Sequence, residues 1–159
     1  MSKPVSTDSG VRLLTDDGLA EAHLLAKALH QESIYRNIRF DDAKVKALLK
    51  SACDNASPFT VCFIYKRRGR MSGILLGYVS EYFFSRDRIA QDLFLFVPRK
   101  ARGGVIALML IRRFKKWAQT QGAKELCLGH TTGIDPEKAH HFFDKLGLNR
   151  VGSIYKQSL

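Results

Sequence analysis

The stretch of the chain best suited to chemistry is a basic, glycine-containing turn between a predicted strand and a predicted helix. The strand Asp92–Val97 leads into Pro98-Arg-Lys-Ala-Arg102-Gly103-Gly104, and a long helical pattern follows. A helix start exposes unpaired backbone N–H groups and the positive end of the helix dipole, which suits a phosphate or pyrophosphate. Arg99, Lys100 and Arg102 add positive charge, and the glycines permit close approach to the backbone. The pattern therefore favours an anion site.

This turn differs from the two common nucleotide-binding loops. The helix start lacks Gly-Lys-Ser/Thr, which excludes a P-loop, and it lacks Gly-x-Gly-x-x-Gly, which excludes the dinucleotide fingerprint. An ordinary strand-to-helix turn with solvated basic residues has the same pattern, so the residues alone leave both interpretations open.

The elements around the turn follow from hydrophobic periodicity. Spacings of three and four predict helices, and aromatic or β-branched runs predict strands. The predicted order is strand, two helices, three strands, helix, strand, helix, strand, which is typical of one mixed α/β (α+β) layer structure. The predicted strands are 11–14, 59–65, 74–84, 92–97, 126–128 and 151–155, and the predicted helices are 16–29, 41–52, 103–120 and 136–147.

Two separated motifs, in this element order, resemble the GNAT superfamily of acyl-CoA-dependent N-acetyltransferases. The first is Leu95-Phe-Val-Pro98 with Arg102-Gly-Gly-Val-Ile-Ala107, and the second is Ala139-His-His-Phe-Phe143-Asp-Lys-Leu-Gly147-Leu. The resemblance covers residues 11–155 and is closest to a phage and bacterial branch with an Arg-Gly-Gly turn. It implies a central mixed, mostly antiparallel sheet flanked by helices. Residues 11–159 would form one acyltransferase domain behind a mobile leader, residues 1–10.

The resemblance implies that the turn binds acetyl-CoA as a co-substrate, with no metal. Arg102 takes the first position of the family pattern and Ala107 the last, while Val105 replaces the usual glycine. The preceding strand would pair with the pantetheine arm of the coenzyme. The coenzyme-binding residues expected on this basis are Phe96, Val97, Arg99, Arg102, Gly103, Gly104, Val105, Ile106, Ala107 and Phe143.

The mechanism implied by the family is direct attack of a deprotonated amine on the thioester, through one tetrahedral intermediate. It needs a base near the amine and an N–H for the oxyanion, and the Val97 backbone is the expected donor. Asp92 is the first choice for the base, Glu81 the second and His130 the third. Each of these three residues could instead have a purely structural role. Asp92, for example, could cap a strand end or pair with Arg88.

Acid catalysis is where this chain departs from the family. The family often places a tyrosine acid on the last helix, but the matching residue here is Phe143. Tyr155 or Tyr82 could substitute, although a tyrosine in a terminal strand is commonly a packing residue. A thiolate is a tolerable leaving group near neutral pH, so turnover remains compatible with the loss of the acid.

The charge of the chain is strongly basic. Its 159 residues include 26 Lys and Arg against 15 Asp and Glu, giving a net charge of +11, and 45% are hydrophobic, which excludes wholesale disorder. Residues 93–124 hold eight basic side chains and no acidic ones. Coenzyme phosphates would account for part of this excess. The remainder indicates a second, acidic partner for the basic helix, whose charged residues are Arg112, Arg113, Lys115 and Lys116.

Cysteine use and the N-terminal sequence indicate the compartment. Cys53, Cys62 and Cys127 are widely spaced with apolar neighbours, which predicts buried, reduced thiols rather than a zinc site or disulfides. The start lacks the apolar stretch of a signal peptide, and no apolar run approaches the ~20 residues of a membrane span. We therefore expect a cytoplasmic protein without a membrane partner.

Two functional hypotheses follow from the sequence. The first is an acetyl-CoA-dependent N-acetyltransferase acting on a primary amine of a small molecule, a protein or an aminoacylated RNA. The alternative is a weakly active or inactive GNAT-fold binding protein whose basic surface holds nucleic acid or an acidic protein. Dimers are frequent in the family, so a homodimer is a further expectation.

Overall fold

The computed structural model describes residues 9–159 and contains one five-stranded sheet with four helices. Short 3-10 turns cover Asp16–Gly18 and Arg99–Ala101. Within the described range, every helix is too short or too polar to cross a bilayer. The elements are β1 (Gly10–Leu13), α1 (Leu19–Glu32), α2 (Asp42–Cys53), β2 (Thr60–Arg67), β3 (Arg70–Tyr82), β4 (Ser85–Phe96), α3 (Ile106–Thr120), β5 (Ala123–Cys127) and α4 (Pro136–Lys145).

The sheet is antiparallel except at one edge. Its order is β1-β2-β3-β4-β5, and only the β4–β5 pair is parallel. The β2–β3 hairpin turns through Arg68 and Gly69, with φ of 51° and 78°. Two consecutive positive φ angles are the geometry of a type I′ turn, whose twist matches that of the flanking strands. The connection between β4 and β5 passes through α3, as a parallel pair requires.

Helices cover the two faces of the sheet unequally. On one face α3 packs along β3, where Leu110 and Phe114 are fully buried. A Cβ at Gly77 would lie 2.4 Å from the Phe114 ring, so only glycine allows this close approach. On the other face α1 and α2 cover β2 and the first half of β3, burying residues such as Leu49 and Ile74. The second half of β3 on that face adds no residue to this core cluster.

Three differences between the sequence predictions and the structure go beyond shifts of a few residues at the ends of elements. The strand predicted at 92–97 begins at Ser85, because the polar stretch before Asp92 pairs with β3. The strand predicted at Val151–Tyr155 is wrong: these residues are irregular and exposed. Their apolar positions do not alternate, and no neighbouring strand pairs with them. Cys62 is buried as predicted, but Cys127 is exposed.

The predicted leader, residues 1–10, falls almost entirely outside the described residues. Gly10 already belongs to β1 and pairs with Lys66.

Candidate active site

The candidate site lies where β4 separates from β5. The two strands pair over Arg88–Gln91, opposite Ala123–Cys127. Beyond that point β5 has ended, whereas β4 continues to Phe96 and pairs only with β3. The second half of β4 therefore has one free edge, with backbone groups available to a ligand.

A bulge marks the same point on β4. The register pairs Gly77 with Asp92 and Leu76 with Phe94, so Leu93 is an extra residue without a partner in β3. Its side chain is 53% exposed. A bulge of this kind bends a strand and re-aims the neighbouring side chains.

Asp92 stands immediately before this bulge, with its side chain largely buried between sheet and loop. Its Oδ1 accepts a hydrogen bond from the Gly129 N–H at 2.8 Å. Burial raises the pKa of Asp92 to about 6, and the Gly129 hydrogen bond partly offsets that rise. A carboxylate with a pKa near 6 is ionised at neutral pH, and its pKa is close enough to neutrality for it to take a proton efficiently.

The other two candidate bases occupy different positions. Glu81 is exposed and pairs in register with Arg88, four residues before Asp92 on β4, so the structure does not bring Glu81 and Asp92 together. His130 follows Gly129 and therefore lies on the same loop that binds Asp92. Its Nε2 is buried with no hydrogen-bond partner among residues 9–159, and its pKa is lowered by burial and then by His140.

The candidate acids lie apart from Asp92. Tyr155 is 92% exposed in the irregular C-terminal segment. The Tyr82 hydroxyl donates to Glu125, which raises the pKa of Tyr82 to about 12. Phe143 packs against the core under α3. Within residues 9–159, no hydrogen bond joins either tyrosine to Asp92.

The turn before α3 has the features of an anion cradle. Gly103 has a φ of +82°, which favours glycine, but Gly104 has an ordinary φ, and a Cβ there would meet nothing within 4 Å. The packing of the chain therefore does not require glycine at 104. Close approach of a ligand to the backbone would require it, because a side chain there would stand in the way. Val105 ends the turn and is 56% exposed, while Ile106 is buried against β3. No side chain of residues 9–159 caps the N-terminus of α3.

The basic side chains of the turn divide into two groups. Arg99 and Lys100 are exposed and reachable by a ligand, and Arg99 Nη2 also lies 3.9 Å from Glu32 Oε1. Arg102 instead points inward: its Nε donates to the Val97 carbonyl at 2.8 Å, and its two terminal nitrogens bind both oxygens of Glu32, at 2.8 Å for Nη2. The Phe96 ring lies under the Arg102 guanidinium, with its centroid 5.6 Å from Cζ. Ala107 is half-buried in the first turn of α3.

Glu32 is the residue of this site that sequence reasoning missed. It ends α1, seventy residues from Arg102, and no local pattern singles it out. Its fork-to-fork pair with Arg102 joins the end of α1 to the turn and to the carbonyl at the end of β4.

A cavity of about 250 Å³ opens beside the bulge. Its wall includes Leu93 and Phe94 of β4, the end of α1, and Tyr35, but no Asp or Glu. The Ile34 N–H donates to the Thr132 carbonyl at 2.9 Å and closes one side. A larger groove of about 530 Å³ runs between the outer sides of α1 and α2, away from the bulge.

One cluster has ligand types that could suit a metal ion. Oxygen or sulfur atoms of Asp16, Cys53 and Asp54 lie within 4.8 Å of one another. The Lys50 Nζ already binds Asp16 at 2.8 Å and Asp54 at 2.6 Å. The ammonium group therefore supplies the positive charge at this cluster, which is remote from the bulge.

Comparisons with known proteins identify the fold. No protein-family model matches the chain, and no curated protein matches it in sequence. Among solved structures, an aminoglycoside acetyltransferase from an uncultured soil metagenomic sample is 22% identical, with a TM-score of 0.71 over 96% of this chain and 99% of that one. The ribosomal-protein-alanine N-acetyltransferase of Brucella melitensis biovar Abortus 2308 is 19% identical, with a TM-score of 0.72 over 95% and 99%.

A third solved structure contains coenzyme A. It is the aminoglycoside N-acetyltransferase AAC(6')-Iy, 14% identical, with a TM-score of 0.78 over 99% of each chain. Identities this low establish architecture only. The chain therefore has the fold of the GNAT N-acetyltransferases, which confirms the predicted mixed α/β class and mostly antiparallel sheet.

Proposed function

We propose that the protein is an acetyl-CoA-dependent N-acetyltransferase that acts on a primary amine. The observation that carries this proposal is the separation of β4 from β5 immediately before Asp92, with an uncapped helix start at the end of the same strand. The likeness to a coenzyme A complex of the same fold supports it.

The coenzyme would lie along the free edge of β4, beyond the point where β5 ends. Its pyrophosphate would be held by the backbone N–H groups of Gly103–Ala107, with Arg99 and Lys100 nearby in solvent. Because Gly104 has open space around its Cα, a phosphate oxygen can approach the backbone there. The residues present therefore fit this ligand.

Acetyl-CoA would supply an activated acetyl group: one C–N bond would form, one C–S bond would break, and coenzyme A would leave as a thiolate that takes up a proton from solvent. Asp92 would accept the proton that the amine loses, because its carboxylate lies at the bulge and is ionised above about pH 6. The Val97 N–H, just past the end of β4, would donate to the carbonyl oxygen as negative charge develops there. His130 would remain neutral near pH 7, because burial lowers its pKa.

The alternative function, a GNAT-fold binding protein with little or no turnover, is favoured by one observation. Arg102, expected on the phosphates, is instead paired with Glu32. Under that hypothesis the turn would have a structural role, and the exposed basic side chains would carry the function.

Two measurements separate these functions. Acetyl-CoA at concentrations well above micromolar should raise the melting temperature of the enzyme, since a ligand that binds only the folded state stabilises it. Release of free coenzyme A thiol should then require both an amine and the Asp92 carboxylate. No thermal stabilisation, or equal thiol release by the parent and Asp92→Asn, would contradict the proposal.

A further inference from the structure

Between the cavity and the β3–β4 turn, one face of the sheet contributes no residue to the core formed by the described part of the chain. The register places Tyr78, Ser80 and Tyr82 of β3 on the same face as Leu76, which packs under α1 and α2. None of these three residues joins that core. Ile89 and Gln91 of β4 share this face, and Gln91 Nε2 donates to the Ser80 Oγ at 3.3 Å. We call this surface, from Leu93 to the turn after Tyr82, the open face.

The far end of the open face carries exposed aromatic rings. Phe83 is fully exposed and Phe84 is 70% exposed. Phe84 stacks on Tyr82 with a centroid distance of 5.2 Å, and Phe83 meets Phe84 edge to face at 5.0 Å. Phenylalanines this exposed at a strand turn commonly indicate a binding surface. Their free ring faces offer stacking positions.

The near end of the open face is the 250 Å³ cavity, and the segment that supplies Tyr35 to its wall is basic. Arg36, which directly follows Tyr35, and Arg39 are exposed in this segment between α1 and α2, and no ion pair to either is formed by the described residues. Lys156 lies over the ring of Tyr35, at 4.0 Å from its centroid. Glu32, the nearest α1 carboxylate, is neutralised by Arg102.

The acidic groups at the far end are already engaged. Asp87 pairs with Lys124 at 3.7 Å, and Glu125 accepts the Tyr82 hydroxyl. Arg86 adds an exposed positive charge beside the phenylalanines. The open face therefore combines flanking positive charge with stacked aromatic rings, and both are features of surfaces that bind single strands of nucleic acid.

The size and charge of the cavity also argue against a polycationic acceptor. A cavity of about 250 Å³ is below the ~300 to 1,000 Å³ of typical small-molecule pockets, so it would hold the end group of a larger molecule. Several ammonium groups would find no carboxylate among the described residues of the wall. From Leu93 to Ser85 the open face extends about 26 Å, at ~3.3 Å per strand residue, which leaves room for several nucleotides.

We infer that the open face binds single-stranded nucleic acid that carries the acceptor amine at its end. This inference rests on the proposed function for the identity of the reaction, but the binding surface is tested separately. The amine end would enter the cavity beside the bulge, the phosphates would meet Arg36 and Arg39, and unpaired bases would stack on Phe83 and Phe84.

The test is the binding of a fluorescent oligo-uridylate of about twelve nucleotides to the full chain, measured by anisotropy. Arg36→Glu with Arg39→Glu should weaken binding by at least tenfold. The control is Arg112→Glu with Lys116→Glu on α3, beneath the opposite face, which changes the net charge by the same amount. That variant should bind within about threefold of the parent, because those residues lie outside the open face.

The aromatic rings have their own matched variants. Phe83→Leu with Phe84→Leu keeps apolar side chains but removes stacking, and it should weaken binding by about tenfold. Phe83→Tyr with Phe84→Tyr should retain the parent affinity. Circular dichroism melts of all variants would establish that each is folded.

Three results would overturn the inference: no binding of the oligonucleotide, equal weakening by the two charge-reversed pairs, or equally tight binding of a poly-glutamate peptide. Acetyl transfer to small amines without oligonucleotide binding would overturn this inference and leave the proposed function intact. Oligonucleotide binding with the expected variant pattern but no acetyl transfer to any amine would support the surface and contradict the proposed function.

Discussion

The two halves of β4 have the same neighbour on one side and different neighbours on the other. Residues Arg88–Gln91 pair with both β3 and β5, whereas Asp92–Phe96 pair with β3 alone. The first half holds the sheet together. The second half places a buried carboxylate, a bulge and a free edge at the end of the strand. The candidate catalytic residues therefore lie where β4 has lost one of its two neighbouring strands, and contacts other than strand pairing must hold this half in place.

The largest effect we expect comes from disrupting the framework at the junction of the two halves. Gly77 faces Asp92 across the sheet, and a Cβ there would lie 2.4 Å from the buried Phe114 ring and 3.1 Å from the Gln91 carbonyl. Gly77→Ala should lower the free energy of unfolding by about 3 kcal/mol, measured by urea denaturation. Gly104→Ala, which meets nothing, should leave stability unchanged and weaken acetyl-CoA binding. Equal losses of stability in Gly77→Ala and Gly104→Ala would contradict the claim that the packing requires glycine at position 77 but not at position 104.

The second effect concerns catalysis and its pH dependence. Asp92→Asn should lower kcat about 100-fold, because the amide cannot accept the amine proton. In the parent, kcat/KM should fall below about pH 6, where Asp92 takes up a proton, and level off above it, since burial raises this pKa. The pH profile of Asp92→Asn should lack this fall in kcat/KM at acidic pH. Glu81→Gln, on β3 opposite the doubly paired half of β4, should stay within about threefold of the parent. An unchanged pH profile in Asp92→Asn would exclude Asp92 as the base.

The third and smallest effect concerns how the singly paired half is held. Arg102 joins the carbonyl after β4 to Glu32 of α1. If this pair positions the turn, then Arg102→Gln and Glu32→Gln should each weaken acetyl-CoA binding by about tenfold. The double variant should be no weaker than either single one, because all three remove the same contact. Calorimetric titration measures the three affinities. Tighter binding by Glu32→Gln would instead indicate that Arg102 binds the phosphates directly.

Sequence reasoning succeeded where the local pattern and the tertiary structure agree. The amphipathic pattern predicted α3, and its apolar residues Leu110 and Phe114 are buried. Asp41, predicted to begin a helix, caps α2 by accepting the Lys44 N–H at 3.0 Å. The fold class followed from the order of such elements.

The remaining features depend on contacts distant in sequence. The sequence of the first half of β4 is typical of a polar loop, because it contains Arg86, Asp87 and Arg88. It forms a strand because β3 pairs with it. The bulge at Leu93 is a property of that register. Glu32 enters the site through a contact across seventy residues, and the segment 151–155 lacks the partner that a strand requires.

Coenzyme binding along the second half of β4 is tested most directly by a two-dimensional amide NMR titration of the labelled protein with acetyl-CoA. We expect saturable shift changes at Phe94–Val97 and at Gly103–Ala107, with small changes at Arg88–Gln91. No changes at either predicted segment, or changes concentrated in the doubly paired half, would contradict the claim that the coenzyme binds where β4 leaves β5.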